Sequence, residues 1–184
     1  MDRRTFILAG SASLAASAAF AQPGPDYAGN FAGLSGGKLI ALERQASSQQ
    51  FRVRGMGYGG ADMFYDVPGL ASPVRFKPNT VPEFVVRAPQ TMDPQAQIGF
   101  FRMVVGKNAR RLHTMKVKPM GFGTKQNVAA SVPFEASKYG KDFFRFKPTV
   151  ELMPGEYALT SSSGMSANGA TVSQAIFLFG VDPA

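Results

Sequence analysis

The chain has no cysteine, no tryptophan, a single histidine and no strongly apolar run long enough to cross a bilayer. Each absence removes a class of protein. Without cysteine there is no disulfide, no thiolate metal centre and no thiol nucleophile. Without tryptophan, the indole platforms common in sugar sites are missing. With His113 as the only histidine, a serine triad has one candidate base, and no G-x-S-x-G elbow stands near it. A membrane span needs about 20 mainly apolar residues, whereas the most apolar stretch, Thr5 to Ala18, is short and rich in Ala, Ser and Gly. "GMGYGGADMFYD", Gly55 to Asp66, lacks the G-K-[ST] ending and following helix of a phosphate loop.

What is present begins with a leader. "DRRTFILAGSASLAASAAFAQ" joins a positive start, an apolar middle and the small-residue site Ala19-Phe20-Ala21, the three parts of a secretory signal. Arg3-Arg4-Thr5-Phe6-Ile7 resembles the twin-arginine export signal of bacteria, with Asp2 where Ser or Thr is usual. Residues 1–21 are therefore expected to be a cleaved signal peptide, carrying the protein to the periplasm or beyond the cell. That route moves chains already folded in the cytoplasm, which agrees with the lack of cysteine.

Residues 22–37, "QPGPDYAGNFAGLSGG", are rich in Pro and Gly without a period and read as a flexible lead-in. Residues 38–184 read as one domain. Within it the pattern predicts strands over Lys38–Glu43, Gln50–Arg54, Pro73–Phe76, Glu83–Arg87, Ile98–Val105, Arg111–Val117, Asn127–Val132, Asp142–Lys147, Glu156–Thr160 and Gln174–Val181. Breakers such as "KPNTVP", "APQTMDP" and "LMPGE" separate them. A short helical turn is expected around Ser131–Tyr139, and "SSSGMS" is read as a hairpin connection. The fold expected is all-β, an antiparallel β-sandwich of immunoglobulin-like type.

Four runs alternate apolar and basic residues: "FRVR", "VRFK", "MKVK" and "FRFK". Successive strand side chains point to opposite faces. Phe51, Val53, Val74, Phe76, Met115, Val117, Phe144 and Phe146 are thus expected inside. Arg52, Arg54, Arg75, Lys77, Lys116, Lys118, Arg145 and Lys147 are expected outside as a basic stripe. The net charge of +8 agrees with an anionic partner, and outward Lys and Arg equally well keep strand edges from aggregating. "VVGKNARR" adds Lys107 at a hairpin tip, with Arg110 and Arg111 after it. Nucleic acid is not expected, because the phenylalanines fall on the buried register and are not free to stack on bases.

Three weaker constellations remain. His113 and Met115 form His-x-Met, soft ligands suited to copper, with Met103 and Met120 as the nearby methionines. Asp62 and Asp66 are a carboxylate pair that would serve glycoside hydrolysis only across a formed cleft. Tyr58, Phe64 and Tyr65 would offer an exposed aromatic contact. No metal ligand set and no cofactor is assigned.

Near the C-terminus stand "FRFKP", "LMPGEYAL" and "FGVD", with "VPGLASPVRF" and "PEFVVR" upstream. These resemble an exported bacterial β-sandwich module to which no reaction is attached, over roughly Gly60 to Asp182. The likeness implies a sandwich completed by its last strand. Pro154-Gly155 presets a turn, Tyr157 and Leu159 then face inward, and "AIFLFGV" is apolar on both faces, as a central strand requires. The expected function is a non-catalytic binding or structural role in the envelope, toward an anionic component or another protein. The alternatives are an envelope hydrolase and a periplasmic copper-binding protein.

Overall fold

The computed structural model describes residues 24–55, 58–118, 124–126, 130–168 and 171–184. The leader, Met120 and residues 127–129 of one predicted strand lie outside these. In chain order the elements are β1 (Phe31–Ser35), β2 (Lys38–Ala41), β3 (Glu43–Val53), β4 (Ala61–Pro68), β5 (Arg75–Phe76), β6 (Glu83–Arg87) and the single-turn α1 (Pro94–Gln97). They continue with β7 (Ile98–Arg102), β8 (Val104–Val105), β9 (Ala109–Val117), β10 (Thr124–Gln126), β11 (Ala130–Ser131), β12 (Phe134–Lys138), β13 (Phe143–Pro148), β14 (Gly155–Asn168) and β15 (Thr171–Val181).

Antiparallel sheets pack together, as the alternation of polarity demands. The smaller sheet has the order β12-β13-β6-β1-β2, and the larger β10-β9-β4-β3-β15-β14-β7-β11, with β5 parallel to β15. Between them lies a core of phenylalanines. Phe84 has its ring centroid 4.9 Å from Phe179 and 5.5 Å from Phe146, and Tyr157 stacks on Phe179 at 5.3 Å. The Tyr157 hydroxyl donates to the Met153 carbonyl at 2.6 Å, so the one polar tip in this cluster is satisfied.

The larger sheet also curls. After Met103 the chain leaves β14 and, as β8, pairs with β9 at the far end of the strand order, which closes β9, β4, β3, β15, β14 and β7–β8 into a barrel at that end. Its interior is a second core of Tyr65, Val67, Met103, Leu112, Ala158, Ile176 and Leu178.

Several expectations need correcting. Phe31–Ser35, inside the presumed lead-in, is a strand, and Phe31 is buried between Phe146 and Phe177. The lead-in therefore ends before Phe31. Lys38–Glu43 divides at buried Leu42, where the chain passes from one sheet to the other. The glycine-rich stretch Gly55–Asp66 is a loop only up to Gly60; β4 follows, with Phe64 and Tyr65 buried and only Tyr58 exposed. The region of the expected helical turn holds β12, paired with β13, and Ser161 to Ser166 belong to β14.

At the closed end of the barrel lies a buried ionic network. Arg110, 1% exposed, donates two hydrogen bonds to Glu43 at 2.7 and 2.9 Å, one to the Pro68 carbonyl at 3.2 Å and one to Glu156 at 3.4 Å. Glu156 is also bonded by Arg75 and by the Ser72 backbone N–H, and Arg75 donates to Asp182 at 2.8 Å. Burial alone would raise the Glu43 pKa; the hydrogen bonds headed by Arg110 outweigh it and hold the carboxyl below its usual 4.5. Its share of stability is thus present above pH 4.5 and lost as pH falls through the lower folded value.

Arg75 reaches Glu156 by crossing directly over Gly180, where any Cβ would collide with the guanidinium. Gly180→Ala should therefore cost about 1–3 kcal/mol in denaturant unfolding, and much less in an Arg75→Ala background. Equal costs in the two backgrounds would place the strain elsewhere.

Candidate functional site

The outer face of β3, β4 and β9 gathers four of the predicted basic residues. Arg52 on β3, Asp62 on β4 and Lys116 on β9 lie in one cross-strand row. Arg54, just past β3, pairs with buried Asp62. On the next rows Asp66 accepts two hydrogen bonds from Arg111, at 2.6 and 2.7 Å. The Arg111 guanidinium lies 4.0 Å from the centroid of the Phe64 ring, a cation–π contact that keeps this outward-facing phenylalanine covered.

A β-bulge makes this assembly possible. Pairing jumps from Met63–Met115 to Phe64–His113, so Thr114 is an extra residue. Its hydroxyl donates to the Met63 carbonyl at 3.2 Å. Strict alternation would place Lys116 opposite in sense to Arg111 and His113. With the extra residue, Arg111, His113 and Lys116 share the outer face. The same shift separates His113 from Met115, which turns inward with Met63, so the His-x-Met copper pair is not formed. Among the described residues no group of three or more His, Cys, Asp and Glu is placed to hold a metal ion.

Other predicted residues go elsewhere. Arg110 is sealed in the barrel and Arg75 is committed to Glu156 and Asp182, so neither belongs to a binding face. Arg145 and Lys147 lie on the smaller sheet, near Glu83 at 4.0 Å and Glu135 at 3.0 Å. Lys77 and Lys107 are exposed, Lys107 at the tip of the β8–β9 hairpin, as expected. Lys118 is exposed just beyond β9. The alternation in "FRFK" holds, with Phe144 and Phe146 buried, and Phe76 packs against the core. In "FRVR" the alternation holds but the expected burial fails: Phe51 is 62% and Val53 51% exposed. β3 outruns its neighbour there, since its pairing with β15 stops at Ser48 while its pairing with β4 runs on to Val53. Val117 has its side chain outside the described residues.

Asp62 and Asp66 are four residues apart on one strand, about 13 Å, beyond the spacing of about 5–9.5 Å that glycoside hydrolysis uses, and each is tied to an arginine. Arg52 and Lys116 have no ion pair among the described residues, and Arg111 is oriented by Asp66. Sequence reasoning missed Thr114, and placed Phe64 in an exposed aromatic contact where the structure has it buried under Arg111; the only sequence sign of the bulge is that Lys116 and Arg111 differ in parity.

Comparison with protein-family models, with curated proteins and with solved structures finds no match. Among the described residues no helix is long and apolar enough to cross a membrane.

His113 sits beside Phe64, ring centroids 5.9 Å apart. Burial, then the charge of Arg111, lowers its pKa below the usual 6.5. The fold thus favours neutral histidine, so stability is full above pH 6.5 and declines as pH falls toward the folded pKa. Proton NMR of His113 should read a pKa under 6.5 that rises in Arg111→Met; a folded value above 6.5 contradicts this account.

Proposed function

We propose that this chain is an exported envelope protein of the bacterial periplasm with a non-catalytic binding role, docking the phosphate or carboxylate groups of an anionic envelope polymer on the β3–β4–β9 face. The observation that carries the reading is the row in which Arg52 and Lys116 flank Asp62 without ion partners of their own among the described residues, beside a pre-oriented Arg111. Two cations against one buried carboxylate leave the row net positive. Strands hold these groups at fixed spacing, which lowers the entropy lost on docking a repeating anion. Without Arg3, Arg4 and Asp2 of the leader the full chain's 20 basic and 12 acidic side chains become 18 and 11, and the remaining net charge of +7 would speed encounter.

Retention on immobilised lipopolysaccharide and on polygalacturonate distinguishes phosphate from carboxylate. Affinity for the preferred one should fall at least tenfold between about 50 and 200 mM salt. Arg52→Glu with Lys116→Glu should weaken it by a further tenfold or more, while Lys77→Glu with Lys107→Glu should not. Salt-independent retention, or equal losses in both variants, would remove the face from consideration. For the export route, Arg3→Lys with Arg4→Lys should trap the precursor in the cytoplasm; continued export would assign the general secretory pathway.

A further inference from the structure

Along β14 and β15, away from the buried network, a groove of about 550 Å3 runs from the barrel across the start of β7 to α1 and the entry into β12. That volume is within the range of small-ligand sites. None of its described lining residues is charged, in a protein with 20 basic and 12 acidic side chains. The polar lining is amide and hydroxyl. Each of its three glutamines is anchored by one end. Gln95 donates to the Phe134 carbonyl at 3.0 Å, Gln97 accepts from the Ser162 hydroxyl at 2.9 Å, and Gln174 donates to the Ser161 carbonyl at 3.5 Å. Gln95 and Gln174 so keep a carbonyl acceptor, and Gln97 keeps an amide donor. Half-buried Phe101 adds an aromatic surface, its ring lying over Gly99, where a Cβ would meet both it and Thr160.

We infer that this groove binds a neutral, hydroxyl-rich ligand, a short segment of uncharged oligosaccharide. Side-chain amides with one end fixed are pre-oriented to give and take hydrogen bonds from neighbouring hydroxyls, which themselves both donate and accept, and the C–H face of a sugar ring packs on an aromatic side chain. An ionic ligand would find no counter-charge here. An extended peptide would need an open strand edge, and the outer edge of β7 is taken by β11 and by the Val132 N–H bonded to Phe100 at 2.8 Å. The groove is separate from the charged face, so its ligand and the anionic partner can be tested independently.

The purified protein is titrated calorimetrically with maltotetraose, cellotetraose and chitotetraose, and with tetragalacturonate as the charged comparator. At least one neutral probe should bind with a Kd under about 1 mM, unchanged by added salt and by Arg52→Glu with Lys116→Glu. Gln97→Ala with Gln174→Ala should weaken it at least tenfold at unchanged melting temperature. Gln95→Ala, exposed on α1, should weaken it severalfold without touching the core. Failure of all three neutral probes, preference for the galacturonate, or undiminished binding in both glutamine variants would overturn the assignment.

Discussion

Arg110 lies wholly inside the barrel, and its guanidinium joins strands far apart in sequence: Glu43 opens β3, Glu156 stands at the start of β14, and Arg75 of β5 completes the chain of charges to Asp182. A charge so buried is tolerated only when its partners are in place, because stripping water from an ion costs several kcal/mol that its partners must offset. Each partner is therefore constrained in register. Slipping β9 by one residue would turn Arg110 to the outside and leave Glu43 and Glu156 buried without it. In a chain with no disulfide to fix its strands, this network sets how the β8–β9 hairpin closes the larger sheet. The contact also explains the glycine in "FGVD": Gly180 is bare so that Arg75 can pass over the backbone to reach Glu156.

That register is inherited by the charged face. Once Arg110 and Leu112 are committed to the interior, Arg111 and His113 must point outward, by the same alternation. The extra residue at Thr114 then brings Lys116 to their side, opposite Asp62 and in line with Arg52. One inserted residue thus brings Lys116 into the outer row with Arg111, while Arg110 stays as the cation of the inner face. Asp62 and Asp66 orient and partly neutralise the arginines, and Phe64 supplies the surface on which Arg111 rests. The two carboxylates that stood out as a pair in the sequence are each held by an arginine, Asp62 by Arg54 and Asp66 by Arg111.

Most strands were legible because their alternation is local. Glu83–Arg87 and the Phe144–Phe146 register need only the rule that neighbours point opposite ways. β4 was hidden by the glycines before it, whose backbone freedom is a signal of turns, and by two aspartates that are poor strand formers until Arg54 and Arg111 neutralise them. β12 was hidden by "ASKY", which carries no strand period. Sites fared worse. Whether an arginine after a strand's first residue is a surface cation or a buried hub depends on Glu43 and Glu156, 67 and 46 residues away, and no local window contains that information. Phe51 and Val53 obey the alternation perfectly yet stand exposed, because what buries a face is an opposing layer, and the layer ends before they do.

The two ends of the larger sheet consequently differ in chemistry for a structural reason. Where β3, β4 and β9 extend beyond the smaller sheet, their outer face has water as its second layer, and charged rows can be built on it at small desolvation cost. Where β7 and β14 meet α1 and the entry to β12, the smaller sheet and its connections lie close. The polar positions there are filled by glutamine, serine and threonine, which hydrogen-bond without a counter-ion. The cationic row and the neutral groove use opposite faces of one sheet: Asp62 and Asp66 point away from the barrel core that Tyr65 and Val67 fill, whereas Thr160 and Gln174 share the barrel side with Ala158 and Ile176.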